Sequence, residues 1–541
     1  MNEKQQFRAS MRWLHKWIGL ILGALLFTVF WMGTLSVFDK EIDQWMQPEI
    51  RFNLSSKQID VDSIVEKIKA MKPDDKLSSL LIYLPSKRKP YIEVNGRFKT
   101  SKIINERFHP ETGESLGKSN SRAGSGFIYP MHYRLQGIQG LGYWFIAFAT
   151  LFMMVLLVTG VVIHRKIFAD FFTFRKHKKL PRATLDLHNI TGTIFLPFHF
   201  LICLSGLTIF AGWYISLTSS ITQSINNKDR TVELFYAADD YGYYKRPASE
   251  IPAEMLKLAP LIAQAEKIWA NRYGENASVD RIDVNHYGDK NAYIEIRRHF
   301  PSNRTEAHSD SINFDGINGE ILKDFVASPI RKIRTWLEGF HQIQFDHWPI
   351  RWLYFIAGLS GCILIATGFV YWISNRTDEK GHRELLNVRL VEALSIGSIT
   401  GCIAATASLF VVNRLIAMSD ANFDRSELEI KVFFCVWLFT FVHAVIRKSS
   451  AWLDQCWLIA ALCLSAVLLN WFTTAFPFTL TSKVFWPVTG VDLVLILSTF
   501  IAIKCALRLK QPKQVESKEG VNSEINAALI NFLDNTEKKD K

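Results

Sequence analysis

The chain has 541 residues, of which 49% are hydrophobic, and its formal net charge is +12. Several apolar runs reach the length of about 20 residues that crosses a bilayer, which excludes an ordinary soluble protein, while long polar segments exclude a chain buried wholly in lipid. In a membrane protein an excess of Lys and Arg first indicates orientation, so this charge does not predict nucleic-acid binding.

The N-terminus predicts an uncleaved membrane anchor. Arg8, Arg12 and Lys16 precede an apolar run from Trp17 to Phe38. The run is longer than the apolar part of an ordinary signal peptide, and no small-residue cleavage site closes it. Residues 1–38 are therefore interpreted as the N-terminus and the first transmembrane helix.

Two polar segments, residues 39–135 and 213–348, each predict an α+β domain outside the membrane. The predicted helices are Val61–Met71 and Glu254–Tyr273, where apolar residues recur at helical spacing. The predicted strands are Leu80–Leu84, Tyr91–Val94 and Phe98–Phe108 in the first segment, and Arg281–Val284, Ala292–Arg298 and Ser311–Phe314 in the second. Neither segment contains a cysteine, so disulfides hold neither domain together.

Further apolar runs bring the prediction to about eight transmembrane helices, so the expected fold class is a polytopic α-helical membrane protein. The predicted spans after the first lie at 136–165, 185–212 and 349–376, and four more, near 391–413, 430–446, 454–474 and 486–507, form a C-terminal membrane extension over 377–509. A basic loop at 166–184 separates the second and third spans, and a charged tail covers 510–541.

Charge sets the predicted orientation. Lys and Arg concentrate before the first span, between the second and third, and after the fourth, sixth and eighth. Because cytoplasmic loops carry the excess of these residues, both termini and the basic loop are predicted to lie in the cytoplasm. Both large polar segments then lie on the opposite side of the membrane, in the periplasm if the cell has one.

The third span carries two histidines within one apolar stretch, Leu187–Phe210. On a straight helix His188 and His199, eleven residues apart, lie roughly 20° apart around the axis and about 16 Å apart along it. Imidazole in hydrocarbon indicates a functional site, because it is unfavourable there without a partner. Two such residues at different depths suggest two ligated centres. Haem b is the best iron-compatible candidate, since axial histidine holds it without a CxxCH motif.

An internal repeat relates the first and third spans. His15-Lys-Trp-Ile-Gly19 matches His188-Asn-Ile-Thr-Gly192, and a glycine follows each histidine after 18 residues, at Gly33 and Gly206. His15 and His188 are therefore mates at the cytoplasmic end of the membrane.

The second and fourth spans repeat in the same way. His132 precedes the pair Thr159-Gly160 at nearly the distance at which His341 precedes Thr367-Gly368. Each unit is then a span, an outer domain and a span, and an even number of crossings makes the two repeats parallel. His132 and His341 are mates at the outer end, whereas His164 and His199 have no histidine mate.

Six histidines are candidate axial ligands of two haem groups. They are His15, His164 and His188 on the cytoplasmic side, and His132, His199 and His341 on the outer side. The competing interpretation of each is an interfacial residue that caps a helix end, which applies most to His15 beside Lys16 and to His164 beside Arg165. The ligand pairing stays open, because on straight helices His199 lies deeper than His132 or His341.

Several motifs together resemble the PepSY-associated transmembrane family, which includes iron-regulated inner-membrane proteins and ferrisiderophore reductases. They are LHKWIGL, MHYRL…TGVVIHR, DLHNITG…LPFHFLICLSGL and RWLYFIAGLSGCILIATGFVYW, within residues 10–376. The two outer segments, each with a Gly-Glu turn before the next span, resemble PepSY modules. The resemblance implies a diheme b-type core that passes electrons outward to a ferric chelate in iron uptake. Residues 390–541 lie outside it.

Three classes of function are weighed. The leading hypothesis is a haem-dependent ferrisiderophore reductase whose donor is a quinol or a cytoplasmic reductase, since no GxGxxG fingerprint is present. The second is a transporter with parallel repeats, for which Asp492 within the last span is the main observation. The third is a PepSY-type peptide-binding or regulatory protein. No catalytic nucleophile is predicted.

Overall fold

A computed structural model of the protein describes residues 3–52, 60–100, 103–136, 140–164, 180–226, 244–274, 278–298, 310–343, 345–377, 385–416, 425–474 and 486–510. The basic loop and the C-terminal tail lie mostly outside these residues. So do the histidines at positions 177, 299, 308 and 382.

Most of the described chain is helical and apolar. Among the described residues, seven helical segments are long and apolar enough to cross a membrane, and a bent pair of helices makes an eighth if it is one crossing. The seven segments are α1 (Glu3–Ser36), α5 (Leu141–Ile163), α10 (Trp348–Thr377), α11 (Leu386–Ile396) continued by α12 (Cys402–Leu415), α13 (Arg425–Arg447), α14 (Ser450–Thr473) and α15 (Trp486–Lys510). Their outward side chains include exposed Ile21, Phe439 and Phe500, as expected of a surface that faces lipid. The protein is therefore a multi-pass membrane protein.

The third span is bent, so the alignment of His188 and His199 that a straight helix over Leu187–Phe210 predicts was wrong. It consists of α6 (Leu180–Ile194) and α7 (Leu196–Asn226), which meet at Phe195 at an angle of 63°. Pro197 has no amide hydrogen, and its ring crowds the carbonyl group four residues earlier, so an unbroken helix is unfavourable here. The bend removes the common helix face on which His188 and His199 were expected to align.

Four spans form the core that carries the repeat. Helix α1 packs against α5 and α10, α10 packs against α6, and α5 packs against α7. Short helices precede the second span of each unit, namely α4 (Tyr129–Arg134) before α5 and α9 (Pro329–Gln342) before α10. Left-handed residues, Leu135 and Ile343, end these two helices and separate them from the spans that follow.

The two polar segments build one sheet. The first segment supplies α3 (Val61–Ala70), β1 (Leu77–Tyr83), β2 (Ile92–Phe98), β3 (Ile104–Phe108) and β4 (Ser115–Gly117), and the second supplies α8 (Leu258–Tyr273), β5 (Val279–Asn285), β6 (Tyr293–Arg298), β7 (Ser311–Asp315) and β8 (Ile321–Phe325). The strand order is β4-β3-β2-β1-β5-β6-β7-β8, all pairs being antiparallel. The join is the β1–β5 pair, in which Ile82 lies opposite Ile282.

Within each segment the helix and most strands lie where the sequence predicts them. Phe98–Phe108 is an exception, because β2 ends at Phe98 and β3 begins only at Ile104. Strands β4 and β8 were not predicted, since they are short edge strands without a clear alternation of apolar residues. Both helices, α3 and α8, contribute to one apolar core together with strands of both segments.

A short helix after α1 ties the sheet to the membrane core. This helix, α2 (Asp39–Met46), carries Glu41, whose carboxylate accepts hydrogen bonds from Arg88 at 3.0 Å and from Arg351 at 2.6 Å. Burial alone raises the pKa of Glu41, but the guanidinium groups of Arg88 and Arg351 outweigh it and lower the pKa to about 2. The three charges therefore join the first segment, α2 and the start of α10.

The C-terminal extension also holds α2. The buried indole of Trp45 donates to the carboxylate of Asp492 at 2.7 Å, and Trp471 and Asn470 donate to the same carboxylate. A π-helical turn at Gly397–Gly401 joins α11 and α12, the most buried span of the molecule. The extension thus packs beside the repeat core and does not interrupt it.

Candidate functional site

The inner histidines of the two units face each other. His15 lies on α1 and His188 on α6, and their ring centres are 6.3 Å apart with the ring planes at 90°. Each ring reaches the second span of its own unit, since His15 contacts Thr159 on α5 and His188 contacts Leu364 on α10. The two mates of the repeat therefore form one pair at one end of the core.

The outer histidines form a second pair. His132 lies on α4 and His341 on α9, and their ring centres are 6.0 Å apart with the planes at 29°. Here each ring reaches back to the first helix of its unit, since His132 contacts Val29 on α1 and His341 contacts Ile202 on α7. Both pairs thus take one histidine from each repeat unit.

Hydrogen bonds fix the tautomer of these rings. Nδ1 of His132 lies 2.8 Å from the carbonyl oxygen of Val29, Nδ1 of His188 lies 2.8 Å from that of Leu364, and Nδ1 of His341 lies 3.1 Å from that of Ile202. A carbonyl oxygen can only accept, so Nδ1 carries the hydrogen in all three. Each Nε2 then has a free lone pair, as in histidines that bind a metal.

His15 follows the same rule through a hydroxyl group. Its Nδ1 lies 3.0 Å from Oγ1 of Thr159. The Thr159 hydroxyl donates its own hydrogen to the carbonyl oxygen of Val155 at 2.8 Å, so it accepts from His15. All four paired histidines therefore present Nε2 as the nitrogen available to a metal.

Each of the four rings packs on a glycine. A Cβ atom at Gly33 would lie 2.7 Å from the His132 ring, and Cβ atoms at Gly160, Gly206 and Gly368 would lie 3.3–3.4 Å from the rings of His15, His341 and His188. For the three histidines whose Nδ1 donates to a carbonyl oxygen, the residue that supplies this oxygen lies four positions before the glycine on which the ring packs. Because the repeat places glycine and acceptor together, the helix surface both admits the imidazole and orients it.

The pair geometry fits an iron ion with two axial imidazoles. The metal lies about 2 Å from each nitrogen and each ring centre about 1 Å farther, so facing rings stand about 6 Å apart. The separations of 6.3 and 6.0 Å match that span. Aromatic rings packed without a metal also have centre separations in this range. The observation that favours metal binding over simple packing is therefore the hydrogen bond at each Nδ1. The ring separations and the Nδ1 hydrogen bonds are therefore compatible with a metal ion held between the two rings of each pair.

A cavity of about 420 Å³ adjoins the outer pair and is lined by both of its histidines. Its size lies in the range of about 300–1,000 Å³ that is usual for small-molecule sites. Apolar side chains from α1, α5 and α7 form most of the wall, and tyrosines and Asp39 add polar groups. An apolar slot between two imidazoles is what a haem group requires.

The two pairs lie at different depths. His15 and the Val29 carbonyl that binds His132 are both on α1 and are 14 residues apart. A straight helix rises about 21 Å over that length. The structure thus has two histidine pairs at different depths, and their members differ from the two histidines of the third span that first suggested two ligated centres.

His199 belongs to neither pair. Its side chain is fully buried, and Nε2 lies 3.2 Å from Oγ of Ser360 and 3.4 Å from the carbonyl oxygen of Ala357. The ring packs against Phe30 and Phe198, and no histidine ring faces it among the described residues. Its Nδ1 has no hydrogen-bond partner in the described part of the chain. His199 thus lies beside the wall of the outer cavity.

His164 also stands apart from the pairs. It follows the last residue of α5, one helical turn beyond Gly160, and its Nδ1 is buried without a partner among the described residues. Residues 165–179, which follow it, lie outside the described part. Of the six candidate ligands, the structure brings four together in two pairs and leaves two outside them.

The groups that orient the rings were not predicted from the sequence. The Thr159 hydroxyl and the carbonyl groups of Val29, Ile202 and Leu364 are the acceptors. A signal existed for the helix surface, because Gly33 and Gly206 are repeat mates, as are Gly160 and Gly368. Every residue has a backbone carbonyl group, so residue identity does not show which of them accept hydrogen bonds, and only the three-dimensional structure does.

The histidine pairs lie within a region that matches a known protein family. The family model described as the PepSY-associated TM region matches residues 12–375. An uncharacterized protein of Pseudomonas aeruginosa is 26% identical over 275 residues, which cover 48% of this chain and 65% of the relative. The chain thus spans less than two thirds of that relative's length, and the relative's description states no activity. All six candidate histidines lie inside the matched region, and the C-terminal extension lies outside it.

Proposed function

The chain belongs to the PepSY-associated TM family, and from that premise we propose that it holds two haem b groups and transfers electrons across the bacterial inner membrane to a ferric chelate. The observation that carries the proposal is the two facing histidine pairs, each with Nε2 free and each at its own depth. The resemblance of the motifs to ferrisiderophore reductases supports a siderophore complex as the acceptor.

A haem group held by both histidines of a pair would supply one-electron chemistry, which would favour electron transfer over oxygen chemistry. The protein residues do the rest. His15 and His188 would hold the inner group, and His132 and His341 the outer one. The Nδ1 hydrogen bonds keep the rings in place and raise the basicity of the donor nitrogens. The apolar walls exclude water and so set the local dielectric.

The charge distribution supports the proposed orientation of the two pairs. The excess of Lys and Arg at the inner ends of the spans supports a cytoplasmic inner pair and a periplasmic outer pair with the sheet above it. Electrons would enter from a quinol or a cytoplasmic reductase. Reduction to Fe(II) weakens binding by hard oxygen ligands, so the metal leaves the chelate on the outer side.

A transporter with parallel repeats is the alternative class. The main observation in its favour was Asp492 within the last span. The carboxylate of this residue receives hydrogen bonds from Trp45, Trp471 and Asn470. A carboxylate enclosed by donors from α2 and α14 is better suited to holding helices together than to moving an ion. This favours the electron-transfer proposal.

Haem content tests the proposal directly. We expect the protein purified in detergent to give the pyridine haemochrome spectrum of haem b with two groups per chain. His188→Ala should remove the inner centre and His132→Ala the outer one, each leaving the other in reduced-minus-oxidised spectra. His347→Ala is the matched control, because that histidine is exposed. A protein without haem, or one that keeps both centres in both variants, would contradict the proposal.

The substrate is tested with the reduced protein. Addition of a ferric siderophore should reoxidise the haem groups, and the gallium complex of the same siderophore, which matches it in shape and charge but is not reduced, should leave them reduced. Equal behaviour of the iron and gallium complexes would exclude a ferric chelate as the electron acceptor.

A further inference from the structure

One face of the first repeat unit is covered by the C-terminal extension. Phe27 on α1 and Phe127, which precedes α4, are 2% and 0% exposed and share an apolar core with residues of the extension. The ring centre of Phe127 lies 4.9 Å from that of Phe433 on α13. Because the two units are repeats, the second unit has an equivalent face, and the sequence contains a single extension.

The equivalent face is open along α7. Under the spacing that relates the inner histidines, Phe27 corresponds to Phe200 and Trp31 to Leu204. Phe200 is 45% exposed and Leu204 is 39% exposed. In the first unit the indole of Trp31 donates to Oγ1 of Thr406 in the extension at 3.0 Å, and leucine offers no such donor. The second unit has therefore lost a polar contact as well as the cover.

The equivalent face is also open along α9, which packs against α7. Under the spacing that relates the outer histidines, Phe127 corresponds to Trp336 and Gly124 to Ile333, which are 44% and 65% exposed. A Cβ atom at Gly124 would clash with the carboxylate of Asp43 on α2. A helix packed as closely as α2 would therefore not fit over the isoleucine of the second unit.

A positive charge lies beside these apolar side chains. Lys332 is exposed, whereas its repeat mate Ala123 is 1% exposed in the first unit. Arg334 on the same helix pairs with Glu338 at 2.6 Å, but no carboxylate of the described residues pairs with Lys332. The open face thus combines large apolar groups with one ammonium group that has no counter-charge in the described part of the chain.

This composition favours lipid over a further protein helix. Helices associate in membranes through small residues that allow close approach and through polar side chains. The open face replaces a glycine by isoleucine and a bonded indole by leucine. Tryptophan and lysine are both common where acyl chains meet headgroups, since each combines an apolar body with a polar end.

We propose that this face binds an acidic phospholipid on the side of the membrane that holds the outer histidine pair. The acyl chains lie against Phe200, Leu204 and Trp336, and the ammonium group of Lys332 neutralises the headgroup. One lysine at a membrane surface favours an anionic lipid over a neutral one by about fivefold. Because α9 also carries His341, a bound lipid holds the helix that brings this histidine to the outer pair.

Native mass spectrometry of the full-length protein in detergent tests the proposal without reference to haem. We expect the first phosphatidylglycerol to bind about fivefold more tightly than the first phosphatidylcholine. Lys332→Gln should abolish this preference, because it removes the charge from an exposed position. Lys431→Gln is the matched control and should retain it, since that exposed lysine on α13 pairs with Glu427 at 2.7 Å. Equal affinities in the unaltered protein, or a preference that survives Lys332→Gln, would overturn the proposal.

A second variant tests the apolar part of the face. Trp336→Ala should weaken binding of both lipids by a similar factor, because it removes contact with the acyl chains and leaves the charge in place. Unchanged binding of both lipids would overturn the proposed position. Mild solubilisation from native membranes distinguishes the other occupants. A second protein chain, or a second copy of this chain, that is retained by the unaltered protein and released by Trp336→Ala would overturn the assignment to lipid.

Discussion

The two repeat units use the same parts but are not equal. Each provides one histidine to the inner pair and one to the outer pair, and each ring packs on a glycine of its own unit. The units differ around this frame, because α2 follows the first span of the first unit, whereas the bend at Phe195 and His199 belong to the second. The duplicated residues are the four paired histidines and the glycines on which they pack, whereas the bend and His199 have no counterpart in the first unit.

This comparison explains why neither unit suffices by itself. A histidine of the first unit finds its partner only in the second, at both depths. Two axial ligands on facing helices are the usual arrangement for cofactors in helical bundles. The association of the units is therefore a condition for either site, and contacts that join them should affect stability and cofactor binding together.

The largest effect is expected where charges join the units. Glu41 of the first unit pairs with Arg351 of the second and with Arg88 of the sheet. Glu41→Gln leaves the buried guanidinium of Arg351 without its counter-charge and leaves Arg88 paired with Asp39 alone, which should lower the free energy of unfolding by about 3–5 kcal/mol. Titration with a denaturing detergent measures it. The control Asp324→Asn breaks the half-exposed pair with Arg272 and should cost at most about 1 kcal/mol.

The same pair predicts a pH dependence. The folded-state pKa of Glu41, about 2, lies below its ordinary value of 4.5, so folding favours the ionised form. Its contribution is fully present above pH 4.5 and is lost as the pH falls through about 2. The stability difference between the unaltered protein and Glu41→Gln should therefore shrink across this window. A difference that stays constant from neutral pH to pH 2 would contradict the assigned ion pair.

The next largest loss of stability is expected at Asp492, where the C-terminal extension is hydrogen-bonded to α2 of the first unit. Asp492→Asn keeps one oxygen acceptor but removes the charge that three donors share. A hydrogen bond to a charged group is worth about 1.5–3 kcal/mol, so unfolding should become easier by about that amount. Haem content should stay at two groups per chain, since no paired histidine contacts this carboxylate. Loss of haem in this variant would mean that the extension supports the sites directly.

Substitution of Gly33 and of its repeat mate Gly206 compares the contribution of the two units to the outer histidine pair. A Cβ at Gly33 would lie 2.7 Å from the ring of His132, whereas a Cβ at Gly206 would lie 3.3 Å from that of His341. Overpacking of this kind costs about 1–3 kcal/mol, so Gly33→Ala should weaken binding of the outer haem by about 5- to 150-fold. Gly206→Ala should weaken it less. Haem-transfer assays to an apo-globin acceptor measure both, and the reverse order would refute the packing argument.

The smallest effect is expected at His199. His199→Gln keeps a donor for Ser360 and Ala357 and keeps the side chain outside both pairs. We expect both haem groups to remain and the free energy of unfolding to change by about 0.5–1.5 kcal/mol. Spectra and a pyridine haemochrome assay check the first point. Loss of one centre would return His199 to the set of ligands and would break the symmetry of the two units.

Much of the fold follows from local patterns. The apolar runs predict the spans because burial in lipid depends on length and composition, and they predict α3, α8 and the central strands because periodicity is local. The pairing of β1 with β5 could not be predicted, since the strands are almost 200 residues apart and either could have formed an edge. The bend at Phe195 was hinted at by Pro197, but a proline permits a bend without fixing its angle.

For the site, the sequence alone determined which histidines are equivalent, because a repeat is a comparison of the chain with itself. It could not determine which of them meet, because that depends on how each helix is rotated in the bundle. Tertiary packing placed His15 against His188 and His132 against His341, and left His199, the most conspicuous histidine of the sequence, against phenylalanine rings. Residue identity shows which side chains can bind a metal or donate a hydrogen bond, whereas only the packed structure shows which groups they face.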